Sequence, residues 1–150
     1  MDLIRQLLKY WTSAKVNISP PVSVRDIEEF ESSNTVSLPE DFRRYLLAAN
    51  GLVDRDSDAC MISFWSLNEI EPIIHEDQEV EVYFKFADFL IDSHHYAMKL
   101  KPSSALDLGS IWALAGPHKT KVANTFQDFL KLYLMPYTGE FGNIILELKW

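Results

Sequence analysis

His94 and His95 beside Asp92 are the residue types in this chain that come nearest to chemistry. Adjacent side chains on a strand point to opposite faces, so the two imidazoles cannot readily ligate one metal. Asp92, Ser93 and His94 hold the residue types of a hydrolase triad, but a working triad gathers its members from separate elements in a directed geometry. Three consecutive residues cannot supply that. Asp54, Asp56 and Asp58 alternate as at the start of an EF-hand loop. Such a loop needs Gly at its sixth position and a bidentate Glu at its twelfth, where this chain has Ala59 and Trp65. Cys60 has no base fixed beside it and acidic rather than basic neighbours, so a small buried residue is expected there instead of a nucleophile. His75 and His118 stand alone. No GxGxxG or P-loop pattern occurs, and the chain has only 5 glycines. These readings predict no catalytic residue, no metal and no cofactor.

What remains is a surface. The formal charge is −8. That balance repels phosphate backbones, so direct nucleic-acid binding is not expected. It favours solubility and steers basic partners inward. Two acidic segments stand out, Asp54–Asp58 and Glu69–Glu81. Both flank the same predicted strand and short helix, which places them on one side of the fold. The contact residues expected from them are Asp54, Asp56, Asp58, Glu76, Asp77, Glu79 and Glu81.

Elements must position such a face. At 150 residues and 47% hydrophobic the chain is long and apolar enough for one self-sufficient core. Leu3, Ile4, Leu7, Leu8 and Trp11 predict an amphipathic first helix with Asp2 at its positive end, not a leader peptide. Ser23 with Asp26 predicts a capped second helix whose buried face is Val24, Ile27 and Phe30. Ser37 and Glu40 have capping-box spacing, and Pro39 suits a first turn. Phe42, Tyr45, Leu46 and Ala49 then form one stripe, and Asn50-Gly51 stops that helix. Met61–Trp65 reads as a strand, followed by a short helix from Ser66 that ends before Pro72. From Val80 the period is two. Phe86–Ile91 and Tyr96–Leu100 read as paired strands, with their turn at Asp92-Ser93-His94. Ser110–Leu114 reads as the last strand of the sheet. Asn124 and Gln127 have capping-box spacing before the stripe Phe126, Phe129, Leu130 and Tyr133, which Pro136 stops. Ile144, Leu146, Leu148 and Trp150 alternate as in a strand. No repeat, linker or run of ~18 apolar residues divides or anchors the chain.

The order of these pieces resembles the SUKH superfamily. The pieces are Ile27, Phe30 and Glu31, then Leu38-Pro39, then Phe42, Tyr45 and Leu46, then Asn50-Gly51. Ser63–Ile70, Phe86–Leu100 and the closing stripe Phe126–Tyr133 fit the same series, so the resemblance spans roughly residues 20–135. It implies a single α+β domain over residues 1–150, with a central, mostly antiparallel sheet packed by N-terminal helices and a C-terminal helix. It assigns Leu38, Pro39, Asn50 and Gly51 a structural role. It also implies a non-catalytic, cytoplasmic immunity protein that binds and occludes a cognate bacterial toxin, in many such systems a nuclease. The alternative within the family is a regulatory adaptor similar to a fungal cell-wall assembly regulator. The oligomeric state is not legible from the chain.

Overall fold

Asp2 accepts the backbone N–H of Ile4 at 3.2 Å and opens helix α1, Leu3–Ser13. A full capping box between Ser23 and Asp26 opens α2, Val24–Asn34. Helix α3, Glu40–Ala48, begins without the box expected between Ser37 and Glu40. Its N-cap is Pro39, whose side chain has nothing to donate or accept. The entry is held instead by Glu31, which accepts the N–H of Leu38 at 2.7 Å and pairs with Arg43, so a carboxylate from α2 does the work of a local cap. The last described helix, α4, spans Phe126–Tyr133 and ends three residues before Pro136. Its cap is Thr125 with Asp128, one residue beyond the expected Asn124–Gln127 pair. Gln127 donates its N–H to Asp41 of α3 instead, at 2.9 Å.

The computed structural model describes residues 2–76 and 79–135. The expected strand through residues 144–150 lies outside them. Among the described residues, six antiparallel strands form one sheet: β1 Ile62–Phe64, β2 Glu71–Glu76, β3 Val80–Phe89, β4 His94–Lys101, β5 Ile111–Ala115 and β6 His118–Ala123. β1 and β2 lie along the same edge of β3, joined by the single 3₁₀ turn Leu67–Glu69, and β4, β5 and β6 follow on the other edge. The fold is thus the expected α+β domain with an antiparallel sheet. Two strands were not foreseen. Segment 71–76 is a strand and not an acidic loop, because Ile73 pairs with Tyr83 and packs beside it. The sheet also continues past β5 into β6, whose lysine-rich sequence lacks the apolar alternation of a buried strand.

One core joins the four described helices to one face of the sheet. Leu7 and Trp11 of α1, Ile27 of α2, Phe42, Tyr45 and Leu46 of α3, and Phe126, Phe129 and Leu130 of α4 pack with Phe64, Phe84, Phe86, Tyr96 and Ile111. Val24 does not join its predicted face; it is 56% exposed at the first turn of α2. The opposite sheet face carries a smaller cluster of Tyr83, Ala97 and Leu114 with Ile73 and Trp112. The Asn50-Gly51 pair ties α3 to the sheet edge. Asn50 Oδ1 accepts the N–H of Leu67 at 2.6 Å. Gly51 sits at φ 66°, and a Cβ there would meet the carbonyl oxygen of Trp65 at 2.4 Å, so no other residue fits without moving backbone.

Candidate partner-binding site

The two acidic segments do not share one face. Residue 62 pairs with Phe89 at one end of β3, while Glu76 pairs with Val80 at the other. Nine residue steps of strand put these ends roughly 30 Å apart. The loop from Asp54 to Asp58 lies by the first end and Glu76 and Glu79 by the second, while Asp77 falls outside the described residues. Within each group the carboxylates also differ in kind. Asp54, Glu76 and Glu79 are exposed. Asp56 is half-buried and accepts the N–H of Asn17 at 2.8 Å.

Asp58 and Glu81 are turned inward, which removes both from the expected contact surface. Asp58 is 4% exposed. Its carboxylate accepts the N–H groups of Cys60 and Ile62, the hydroxyl of Tyr10 at 3.3 Å and the hydroxyl of Tyr133. Glu81 is gripped by Lys99 and by Lys119, and Lys99 is held in turn by Asp107 at 3.0 Å. Burial works to raise the Glu81 carboxyl, but the bonds from Lys119 and Lys99 outweigh it and hold it down at about 2. Exchange of Glu81 for lysine would therefore set three cations against one another and test folding, not binding.

The histidines are separated as strand geometry requires. His94 faces the core between Phe89 and Tyr96, each with its ring 5.0 Å away. His95 faces the other way, with Nε2 2.9 Å from Asp92 Oδ1 and its ring edge-on to Trp65. Among the described residues no group of three or more His, Cys, Asp or Glu is placed to hold a metal ion. Cys60 is half-buried against the core. Burial first, then the neighbouring His95, push the His94 imidazole down to about 4. The neutral ring is the form the fold favours, so its contribution to stability is complete above pH ~6.5 and is lost as pH falls towards 4. Urea unfolding of the wild type should show its midpoint dropping between pH 7 and pH 4.5, and His94→Gln should flatten that drop. An equal drop in both proteins would assign the effect elsewhere.

A polar pocket lies at the Asp54 end of the sheet, in residues that the sequence patterns did not single out. It has a volume of about 120 Å³ and is lined by Arg55, Ser57, Met61, Ser63, Asp88, Ile91 and Asp92. Ser63 and Asp88 are directly paired residues on β1 and β3, and both are buried. Asp88 Oδ2 accepts the indole N–H of Trp65 at 2.7 Å. Asp88 enters no ion pair among the described residues. Among the described residues the Ser63 hydroxyl has no hydrogen-bond partner. A buried polar group left unpaired costs ~1–3 kcal/mol, so such groups call for an explanation. Arg55 stacks 4.1 Å over the Trp65 ring and pairs with Glu69 at 3.0 Å and Asp92 at 3.8 Å.

The backbone around this pocket is unusual. Asp54, Arg55, Met61, Leu90, Ile91 and Asp92 all have left-handed φ, between 49° and 64°. Each such non-glycine residue costs on the order of 1–3 kcal/mol, and residues of this kind concentrate at functional sites. The turn is held by the Leu90 N–H on the Met61 carbonyl at 2.8 Å. The groove between α1, α3 and α4 is larger, about 340 Å³, but its polar groups are committed elsewhere: Asp41 to Gln127, Arg44 to Glu40.

Among the described residues no helix is long and apolar enough to cross a membrane. The model of the SMI1 / KNR4 family (SUKH-1) matches residues 21–132, a span that holds every element except α1 and the last residue of α4. No curated protein matches the chain.

Proposed function

Because this chain belongs to the SMI1 / KNR4 family (SUKH-1), we propose that it is an immunity protein that binds a toxin domain and covers its working surface without performing a reaction. The family itself supports a protein-interaction role, of the immunity kind or one related to it. The observation that carries the finer reading is the acidic end of the sheet. Asp54 and Asp92 are exposed there, with Asp56, Glu69 and Asp88 behind them, and Arg55 is the basic residue that Glu69 and Asp92 hold. A nuclease must present basic residues to phosphate, so an acidic protein of net charge −8 can occupy that surface and be drawn to it. Asp54 and Asp56 are the first contacts in this reading. Glu76, Asp77 and Glu79 act from a distance, as a second source of the attracting field. The compartment it implies is the cytoplasm, where the toxin would otherwise act.

The test is association with the toxin domain encoded beside the gene. Asp54→Lys should slow binding about three- to tenfold at low salt, with little effect at high salt. The double exchange Glu76→Lys with Glu79→Lys should slow it less. The Glu76/Glu79 variant should keep the wild-type melting temperature, since both residues are exposed, whereas Asp54→Lys, at a left-handed φ that aspartate adopts more readily than lysine, should lower it by about 2–4 °C. No complex with the neighbouring toxin, or unaltered low-salt association for Asp54→Lys, would overturn the reading.

A further inference from the structure

We propose that the pocket between β1 and β3 is a socket for one arginine side chain of the protein partner. The inference rests on the binding reading above and specifies the chemistry of its anchor. Ser63 and Asp88 are cross-strand partners on β1 and β3, so their side chains emerge side by side, ~4.5–5.5 Å apart at Cβ. Ser63 is 3% exposed and Asp88 4%. Among the described residues the Ser63 hydroxyl has no hydrogen-bond partner, and the Asp88 carboxyl accepts the neutral indole N–H of Trp65 and enters no ion pair. Two oxygen acceptors at this spacing match the planar fork of a guanidinium, which offers several N–H donors in fixed directions. Met61 and Ile91 give the pocket apolar walls for the aliphatic stem.

Charge points the same way. Asp88 and Asp92 line the pocket beside the guanidinium of Arg55, and Lys85, 5.9 Å from the Trp65 ring, is paired with Glu71 at 2.8 Å. That guanidinium is already committed to Glu69, Asp92 and the Trp65 ring. Size sets the occupant. About 120 Å³ is well below the ~300–1,000 Å³ of sites for small molecules, so the pocket admits the end of one side chain. Buried arginines set in such pockets are a frequent anchor of protein interfaces.

The test needs no partner. N-acetyl-arginine N-methylamide is titrated into the 15N-labelled full chain, and the Trp65 indole N–H resonance is followed after assignment with Trp65→Phe. A saturable shift in the millimolar range is expected. The citrulline analogue, of the same shape but uncharged, should give none. Ser63→Ala should weaken the apparent affinity about three- to tenfold, and Asp88→Asn should abolish saturation. Glu28→Gln, exposed on α2, should bind as the wild type does. The inference falls if the arginine probe gives no saturable shift, or if the citrulline analogue or N-acetyl-glutamate N-methylamide gives an equal one. Should Asp88→Asn not fold, the comparison of probes on the wild type and Ser63→Ala still decide it. Failure here would leave toxin association, measured separately, standing or falling alone.

Discussion

Asp58→Ala should destabilise the protein by about 3–5 kcal/mol. The carboxylate gathers donors from three parts of the chain: Tyr10 in α1, the N–H groups of Cys60 and Ile62 before and in β1, and Tyr133 in α4. Truncation removes the shared acceptor from all of them at a position that is 4% exposed. Asp58→Asn keeps an oxygen for the two backbone donors, and hydroxyls can turn to accept from its amide, so it should cost less, about 1–2 kcal/mol. Glu76→Ala, exposed on β2, should stay within ~0.5 kcal/mol. Urea unfolding of the three variants checks the order. A loss below ~1 kcal/mol for Asp58→Ala would mean that Asp58 is not the joint described here. The phenols add a signature at high pH. Burial first, then Asp58, raise the Tyr10 and Tyr133 hydroxyls above their usual value. The fold therefore favours the neutral phenols, and the stability they contribute is complete below pH ~10 and declines as pH rises past it.

Phe42→Ala should cost about 3–5 kcal/mol. Phe42 is 2% exposed, and its ring meets Phe126 of α4 at 4.9 Å, Phe86 of β3 at 5.8 Å and Tyr45 at 5.5 Å. It thus contacts a helix, the sheet and its own stripe at once. Its loss opens a cavity where α3, α4 and β3 meet. The edge-on pair with Phe126 alone is worth ~0.5–1.5 kcal/mol beyond area burial. Phe42→Leu retains most of the volume and should cost ~1.5 kcal/mol or less. Val24→Ala, on the exposed side of α2, serves as the small-effect control. Thermal and urea unfolding should agree on this order; an equal, small loss for Phe42→Ala and Val24→Ala would mean that the α3 stripe does not pack.

These two residues also divide the chain's legible features from its hidden ones. Phe42, Tyr45, Leu46 and Ala49 are apolar at helical spacing and all buried, and Leu7, Trp11, Phe126 and Phe129 follow the same rule. The Ser23–Asp26 cap is local chemistry, spread over a few residues, so it could be read directly. The α3 stop differs from expectation: the helix ends at Ala48 with Ala49 extended, and Asn50 and Gly51 are set by contacts with Leu67 and Trp65. The missed caps have a different cause. Glu31 secures α3 from α2, and Asp41 binds the start of α4, so the bonding partner lies far along the chain.

Legible in the residues alone were the helices, the antiparallel core of the sheet, the family and a surplus of acids, a net charge of −8. Tertiary structure alone decided which acids meet the outside. Asp58 and Asp54 look alike in the sequence, yet one is buried under Tyr10 and Tyr133 while the other is exposed. Glu81 and Glu79 part in the same way, since only Glu81 meets Lys99 and Lys119. Composition and periodicity report charge and facing along one element. The desolvation of a carboxylate, and the orphaned hydroxyl of Ser63 beside Asp88, depend on groups that only the folded chain brings within reach.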